Sequence, residues 1–433
     1  MSSMEKIDAI VVGGGLAGLS AAYRLSTAGR QVILLERGDT PGSKNVSGGR
    51  IYVEPIRRFL PEIVEEAPFE RPVVKEMLTV LDDEGSVLLE HGCAQRGTKP
   101  FQSHTVLRAR LDAWFGDRVM EKGCFVIPRR RVDDLLWEEG RVAGVKAGGE
   151  EIPARIVIAA DGALSFMAEK AHLRSAPPKP ADYAVAIKEI YKLDPGIIED
   201  RFGLESGEGA ACLFAGAVTK GLFGGGFLYT NSDSLSVGLV VGIEALMKAG
   251  GAEESHRLME QFTARPEVLR WTKGGELKEY AAHIIPEAGI GGISKLSTDN
   301  MLVAGDAAGF ALNLGLTVRG MEFAVASGVL AGEVADEALT KDDTSAQFLS
   351  LYDKRLRESF VLQDLETFRH SREVLDNPRL LKVYPKFLCE LLRDLYAVDS
   401  GPKASLYKTA KEAMRKHVLT WDGFKDFLSL RKM

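Results

Sequence analysis

The 433-residue chain carries 55 Lys and Arg against 61 Asp and Glu, a net charge of −6, with 45% hydrophobic residues and 45 glycines. A chain of this length buries a sizeable core and suggests two or three domains, and its acidic balance argues against nucleic acid as a partner. Cys93, Cys124, Cys212 and Cys389 lie far apart with no C-x-x-C pair, which excludes the spacing of an iron–sulfur or zinc site, and neither a signal-peptide succession nor an apolar run of about 18 residues is present.

The first element is a predicted strand–turn–helix–strand unit from Asp8 to Glu36. The apolar run Ala9–Val12 reads as a buried strand, and the Leu16/Leu19/Ala22/Tyr23 spacing then has helical period. Between them Gly13-x-Gly15-x-x-Gly18 supplies a tight turn, a close approach to a pyrophosphate and close helix–strand packing, with Leu16 and Ala17 at the helix start. Gln31–Leu35 is the second strand, and Glu36 at its end, about 20 residues on, is placed to bind ribose hydroxyls. A carboxylate there opposes a 2′-phosphate, which leaves FAD or NAD. The polar loop Arg37–Arg50 follows, too long for a plain connection, with donors at Arg37, Lys44 and Asn45 and turn residues through Val46, Gly48 and Gly49.

A helix begins near Val106, with Arg108 at its start facing the phosphate side. Strands at Arg131–Val132, Arg141–Val145 and Arg155–Ala160 form a meander, so that Val132, Ala160, Asp161 and Gly162 fall at the strand-end crevice of an α/β sheet. Pro177–Pro180 marks a boundary. Beyond it the text is β-rich to about Ile285 and includes a hairpin, Gly225–Thr230 and Leu235–Gly242, turning at Asn231–Ser234. Asn300–Gly309 is again a strand followed by a carboxylate, with Gly305 and Asp306 at its turn, and a helix is expected to open near Gly315, Leu316 and Thr317. A long flavin cofactor needs such a third contact: Asp306 can accept from a ribityl hydroxyl, and the helix dipole favours negative charge on the ring. From about 343 the chain reads as helical, with apolar stripes such as Leu388/Leu391/Leu392/Leu395 assigned to core. Residues 401–433 carry eight Lys or Arg against three Asp or Glu, a local +5 that leaves −11 elsewhere.

Together these segments resemble the electron-transfer-flavoprotein:quinone oxidoreductase family, in its short bacterial members. The carriers are Pro41–Gly49, Lys188-Glu189, Gly224–Tyr229, Tyr280–Pro286, Gly305–Gly309 and Thr317–Met321. The resemblance implies FAD contacts at Gly13, Gly15, Gly18, Glu36, Lys44, Asn45, Gly48, Arg108, Asp306 and Thr317, and a quinone head group at Gly224 and Gly225. It implies a path from a soluble two-subunit electron-transfer flavoprotein through FAD to a membrane quinone, with the protein cytoplasmic and peripheral to the inner face of the membrane. The larger members' cluster cysteines are absent, so a separate ferredoxin-like iron–sulfur subunit supplies the cluster or electrons enter FAD directly. Tyr280 and His283 are candidate proton donors beside the quinone, and Leu222-Phe223 with Phe227-Leu228 a candidate lipid-facing lip.

The expected fold is a Rossmann-like α/β FAD-binding domain (1–75, 105–176 and 293–342) with an inserted β-rich quinone or substrate domain (76–104 and 177–292) and a helical C-terminal region (343–433). Two readings of the same fold compete with electron relay: a prenyl-lipid reductase and an NAD(P)H-dependent monooxygenase. The monooxygenase reading lacks its basic residue after Asp161-Gly-Ala-Leu-Ser165, where Ala168 stands. A subunit that holds FAD without turnover is the alternative of another class.

Overall fold

The computed structural model describes residues 6–45, 48–92, 100–174, 178–251 and 253–433, so the predicted contact at Val46 lies outside the described residues. The N-terminal strand β1 (Ile7–Val12) is apolar on both faces and sits inside a parallel sheet, as such a run requires. It pairs in parallel with β2 (Val32–Leu35) on one side and with β10 (Glu150–Ala159) on the other. Beyond β2 lies β7 (Phe125–Ile127), and beyond β10 lie β17 (Met301–Val303) and the short antiparallel β16 (Ser297–Thr298). A meander of β8 (Val132–Glu138) and β9 (Arg141–Ala147) leads into β10. The carboxyl ends of β1, β2, β10 and β17 therefore come together, although they derive from segments nearly 300 residues apart.

Helix α1 (Leu16–Thr27) covers one face of this sheet, and α3 (Met321–Lys341) packs on α1. Small residues make the approach close: a Cβ on Gly328 would stand 2.1 Å from the Ala17 carbonyl oxygen. Helix α3 buries 14 of its 21 residues. It is thus a core helix, held by side chains such as Phe323, Val329 and Leu330 at roughly 1.5–3 kcal/mol each. Helix α2 (Arg108–Glu121) adds Leu111, Phe115 and Val119 to the same core.

The second sheet has seven strands in the order β15–β11–β14–β13–β12–β4–β5. These are β4 (Val73–Leu81), β5 (Ser86–Gly92), β11 (Tyr183–Lys192), β12 (Gly209–Gly216), β13 (Gly224–Thr230), β14 (Ser234–Gly242) and β15 (Glu276–Pro286). Its outer face carries Met77, Ile187, Cys212, Leu228 and Val237, which are buried under Leu258, Phe262, Val268 and Trp271 of two short helices. Period-two alternation sends Leu78, Ala186, Lys188, Leu213, Gly225 and Phe227 to the other face, toward the first sheet. Two ribbons complete the framework, β3 (Gly49–Tyr52) with β6 (Ser103–Val106) and β18 (Leu312–Asn313) with β19 (Val318–Arg319). The C-terminal helices α4 (Pro378–Tyr396), α5 (Leu406–His417) and α6 (Trp421–Leu430) follow, with α4 against β4 and β12.

Candidate active site

A single cavity of about 880 Å³ runs from the glycine turn after β1 to the inner face of the second sheet. That is the upper end of the roughly 300–1,000 Å³ of small-molecule sites. At its near end Gly13 (φ 105) turns the chain, and a Cβ on Gly18 would lie 2.0 Å from the Gly13 carbonyl oxygen, so only glycine lets α1 start this close to the strand. Gly13, Gly15, Leu16 and Ala17 line the cavity, while Gly18 stands behind it as packing. The buried Glu36 carboxylate accepts the backbone N–H groups of Gly14 (2.7 Å) and Gly38 (2.5 Å), which fixes it at the end of β2.

Arg108 opens α2 and reaches the glycine turn; its Nη2 lies 4.0 Å from where a Gly15 Cβ would stand. One turn on, the buried Asp112 accepts from Arg108 Nε (2.8 Å) and Nη2 (2.7 Å) and from Asn45 Nδ2 (2.7 Å). Asp112 thus joins the helix to the polar loop. Arg37, Lys44, Asn45, Gly48 and Gly49 line the cavity. There the loop squeezes between β14 and α3, so that Cβ atoms on Gly48 and Gly49 would meet Ser236 Oγ at 2.0 Å and Met321 Cε at 2.7 Å.

Val132, Ala160, Asp161 and Gly162 line the wall beside Glu36. Asp161 Oδ2 accepts from Met167 N (3.0 Å), its Oδ1 has no partner among the described residues, and burial raises its pKa. Asp306, beyond β17, faces the cavity, and its carboxylate makes no hydrogen bond among the described residues. Burial raises its pKa and Arg108 opposes the shift. Gly305 lies behind it, donating its N–H to Ser327 Oγ (3.0 Å).

The expected helix start at Gly315 is corrected. Gly315 takes φ 78 and donates to Asn313 Oδ1 (2.9 Å), which makes a turn between β18 and β19; α3 begins only at Met321. Gly315 and Leu316 line the cavity, whereas the Thr317 carbonyl closes the turn by accepting Leu314 N–H (2.9 Å) and its side chain is off the wall. The helix end at the cavity is Gly320–Met321.

The far end is a chamber floored by the second sheet. Gly224 (φ 149) and Gly225 open it, since a Cβ on Gly224 would stand 2.0 Å from the Val240 carbonyl oxygen. Lys188 and His283 point into it. Burial, then Arg108, lowers the Lys188 pKa to about 7, and its ammonium lies 5.2 Å from the Phe227 ring with no ion-pair partner among the described residues. The His283 pKa is lowered by burial and by Arg108, Arg37 and Lys188. Glu287, at the rim, is raised by burial to about 7, against Arg372 and a 3.4 Å bond from Asn313.

Tyr280 does not join them. It lies three residues from His283 on the same strand, hence on the opposite face, half exposed beside Glu189 and Glu260. The proposed lip is also corrected, because Phe223 and Leu228 are buried and Phe227 faces the chamber, stacked on Tyr229. Two features escaped the sequence. Asp112 looked like an ordinary helix acid, and of the stripe assigned to core Leu388 instead walls the chamber, with Leu380, Leu381, Tyr384 and Pro385 of α4, while Leu391, Leu392 and Leu395 lie off the wall.

The residues present fit FAD: a glycine turn for a pyrophosphate, a fixed carboxylate at the second strand end, an unpartnered carboxylate at Asp306 and cations at Arg37, Lys44 and Arg108. Comparison with known proteins agrees. Residues 8–86 match the FAD dependent oxidoreductase family and residues 372–433 the ETF-QO/FixC family C-terminal domain. Over 431 residues the chain is 41% identical to protein FixC of Escherichia coli K12, covering 99% of this chain and 98% of that one. It is 40% identical over 406 residues to the "Probable electron transfer flavoprotein-quinone oxidoreductase YdiS" of the same strain, 94% of each chain, and 36% identical to FixC of Azorhizobium caulinodans. The chain belongs to the FixC and electron-transfer-flavoprotein–quinone oxidoreductase family.

As a member of the FixC family it is an FAD-dependent oxidoreductase. A FixC-family fold is shared more widely. A geranylgeranyl bacteriochlorophyll reductase-like protein from Thermoplasma acidophilum superposes with a TM-score of 0.71 at 19% identity over 96% of this chain and 97% of its own. The halogenase CndH superposes at 0.65 and 18% identity, over 97% and 99%. These show the architecture alone.

Proposed function

We propose that the chain passes electrons from a soluble two-subunit electron-transfer flavoprotein to a membrane quinone, with FAD held between the two sheets and a separate ferredoxin-like iron–sulfur subunit as a further partner. The observation that carries the reading is the continuity of the cavity: one space joins a dinucleotide cleft to a largely apolar chamber on the inner face of the second sheet. The names of the relatives support the donor and acceptor classes. The separate cluster subunit is supported by the cysteines, since Cys124, Cys212 and Cys389 are buried, single thiols.

When bound, the isoalloxazine supplies the two-electron chemistry. The chain's own groups do the rest. The α1 N-terminus, Lys44 and Arg108 would receive the phosphates, Glu36 the adenosine ribose, and Asp306 a ribityl hydroxyl. The helix end at Gly320–Met321 would place positive potential near the ring. At the chamber, Gly224 and Gly225 admit a flat head group against the sheet, and Phe223, Leu380 and Leu388 exclude water. His283, the Lys188 amine and the Glu287 carboxyl, the last two with pKa values near 7, are proton-bearing groups facing that space.

The test is anaerobic mixing of the FAD-loaded protein with its reduced electron-transfer flavoprotein, followed by a short-chain quinone. Visible absorbance of the flavin falls with the partner and returns with the quinone. Bleaching by NADPH alone, or no return with any quinone, rejects the reading.

A further inference from the structure

The last two helices are built inside out. In α6 the side turned to the protein is Gly423 and Asp426, while Trp421, Phe424, Phe427 and Leu428 are exposed. Their i, i+3, i+6, i+7 spacing puts them on one broad face. Ten of the 24 large apolar side chains exposed among the described residues fall between Tyr396 and Leu430, in less than a tenth of the chain. Such a concentration marks an interaction surface.

The inner side shows that this orientation is anchored. Asp426 accepts from Asn377 Nδ2 (2.7 Å), Arg379 Nε (2.6 Å) and Tyr384 O–H (2.5 Å), all on or beside α4. A Cβ on Gly423 would stand 1.9 Å from the Val418 carbonyl oxygen. Helix α6 cannot simply roll its aromatics inward.

The charge around this face selects its occupant. Lys408, Lys411, Arg415 and Arg431 are exposed with no acidic partner among the described residues. Residues 401–433 carry +5 on a chain otherwise at −11. Lys411 and Lys425 lie over the Tyr407 and Trp421 rings, at 5.6 and 5.9 Å. Exposed Trp, Tyr and Phe interleaved with Lys and Arg on short helices are the composition of a helix lying in the headgroup layer of an anionic bilayer. No helix among the described residues is long and apolar enough to cross one.

We propose that α5 and α6 form a docking face for an anionic lipid surface, seating the chain with the α4 side of its chamber toward the bilayer. The proposal deepens the quinone reading and rests on it for its purpose: Tyr384 and Asp426 join the chamber wall directly to the docking helix, so an apolar acceptor would pass from lipid along α4.

Flotation of the full FAD-loaded chain with phosphatidylcholine vesicles, alone or mixed with phosphatidylglycerol, tests it. The protein floats with the mixed vesicles, and added salt releases it. Trp421→Ser/Phe424→Ser/Phe427→Ser lowers the bound fraction at least tenfold, and Lys408→Glu/Lys411→Glu/Arg415→Glu does so on anionic vesicles. Both variants keep their FAD and reduce a short-chain, water-soluble quinone at the wild-type rate. Wild type that stays unbound, or a triple variant that floats like wild type, overturns the proposal, as does capture of a protein partner by this face without vesicle binding. Flotation without any quinone reduction leaves the docking face standing and removes the quinone reading alone.

Discussion

Asp112 spends both carboxylate oxygens on donors that face the cofactor cleft, and its side chain is fully buried. Breaking a buried ion pair by removing one partner costs about 3–5 kcal/mol, because the other charge is left uncompensated. Asp112→Ala therefore loosens Arg108 and Asn45 together; FAD content after purification falls at least tenfold, and the FAD-free protein loses more thermal stability than the loaded one, in which phosphate can partner Arg108. Equal losses in both forms would show that Asp112 serves packing only. Lys188 gives a second test through pH. Its pKa is 10.5 unfolded and about 7 folded, so between these values the unfolded chain holds more protons and stability rises with pH; below 7 both states are protonated and the buried charge is a constant penalty. Glu287 has the opposite slope, with stability falling as pH rises from 4.5 to about 7, so the comparison belongs above pH 7. The advantage of Lys188→Met over FAD-free wild type shrinks from pH 7 to pH 10, by at most about 1.4 kcal/mol per pH unit; a constant gap in melting temperature refutes the buried, shifted amine. Asp112 carried no signal in the chain that an ordinary helix acid lacks, and Lys188 carried one only as part of the Lys188-Glu189 pair in the family resemblance. The Tyr280 and His283 spacing carried its own: an odd separation on a strand places two side chains on opposite faces.

Elements were legible where one local rule decides them. The first βαβ unit, the apolar runs before Asp161 and Asp306 and the hairpin turning at Asn231 each combine a periodicity with a stop signal, and each stands in the structure as strand or turn. The segment after Gly315 was misread because Asn313 captures the Gly315 N–H and the chain pairs back on itself before α3 can start. Helix α4 was read as core since amphipathicity reports an apolar face and not what fills the space beside it. Alternation in β13 supplies the element-scale prediction. Gly225 faces the chamber, where a Cβ would meet only the Phe214 carbonyl oxygen at 2.9 Å, whereas a Cβ on Gly226 would stand 2.6 Å from the Phe262 ring and within 3.1 Å of three of its atoms on the packed face. Gly226→Ala overpacks that core by about 1–3 kcal/mol and lowers the melting temperature. Gly225→Ala keeps FAD and raises the quinone KM several-fold with kcat nearly unchanged. Identical kinetic and thermal effects from the two variants would mean that the strand, not the chamber, is being read.

At the scale of the molecule, Arg71 is the joint between the β3/β6 ribbon and the second sheet. Beside the β3/β6 ribbon, just before β4, Arg71 accepts the Thr105 N–H at its carbonyl (2.8 Å) and donates its own N–H to the Thr105 hydroxyl (3.1 Å), which in turn donates to the Thr230 carbonyl (2.7 Å). Its buried guanidinium donates to the carbonyls of Asn231 (2.7 Å), Glu208 (2.8 Å) and Ser232 (3.0 Å) and to Glu199 Oε1 (2.8 Å). One side chain thus pins the hairpin turn, the entry to β12 and a neighbouring helix to the β3/β6 ribbon. Arg71→Met leaves several buried acceptors unpaired and one carboxylate without its cation, a loss of about 3–5 kcal/mol. The cost falls on the second sheet, because every acceptor belongs to it or to the helix Pro195–Phe202 packed on it, so calorimetry of the FAD-loaded variant shows an early transition for that sheet ahead of flavin release. Arg71→Lys recovers less than half of the loss, since a single ammonium cannot reach acceptors spread around a planar fork. A variant that still melts in one transition with flavin release would mean that the two sheets are coupled through the cavity walls and the cofactor rather than through this joint.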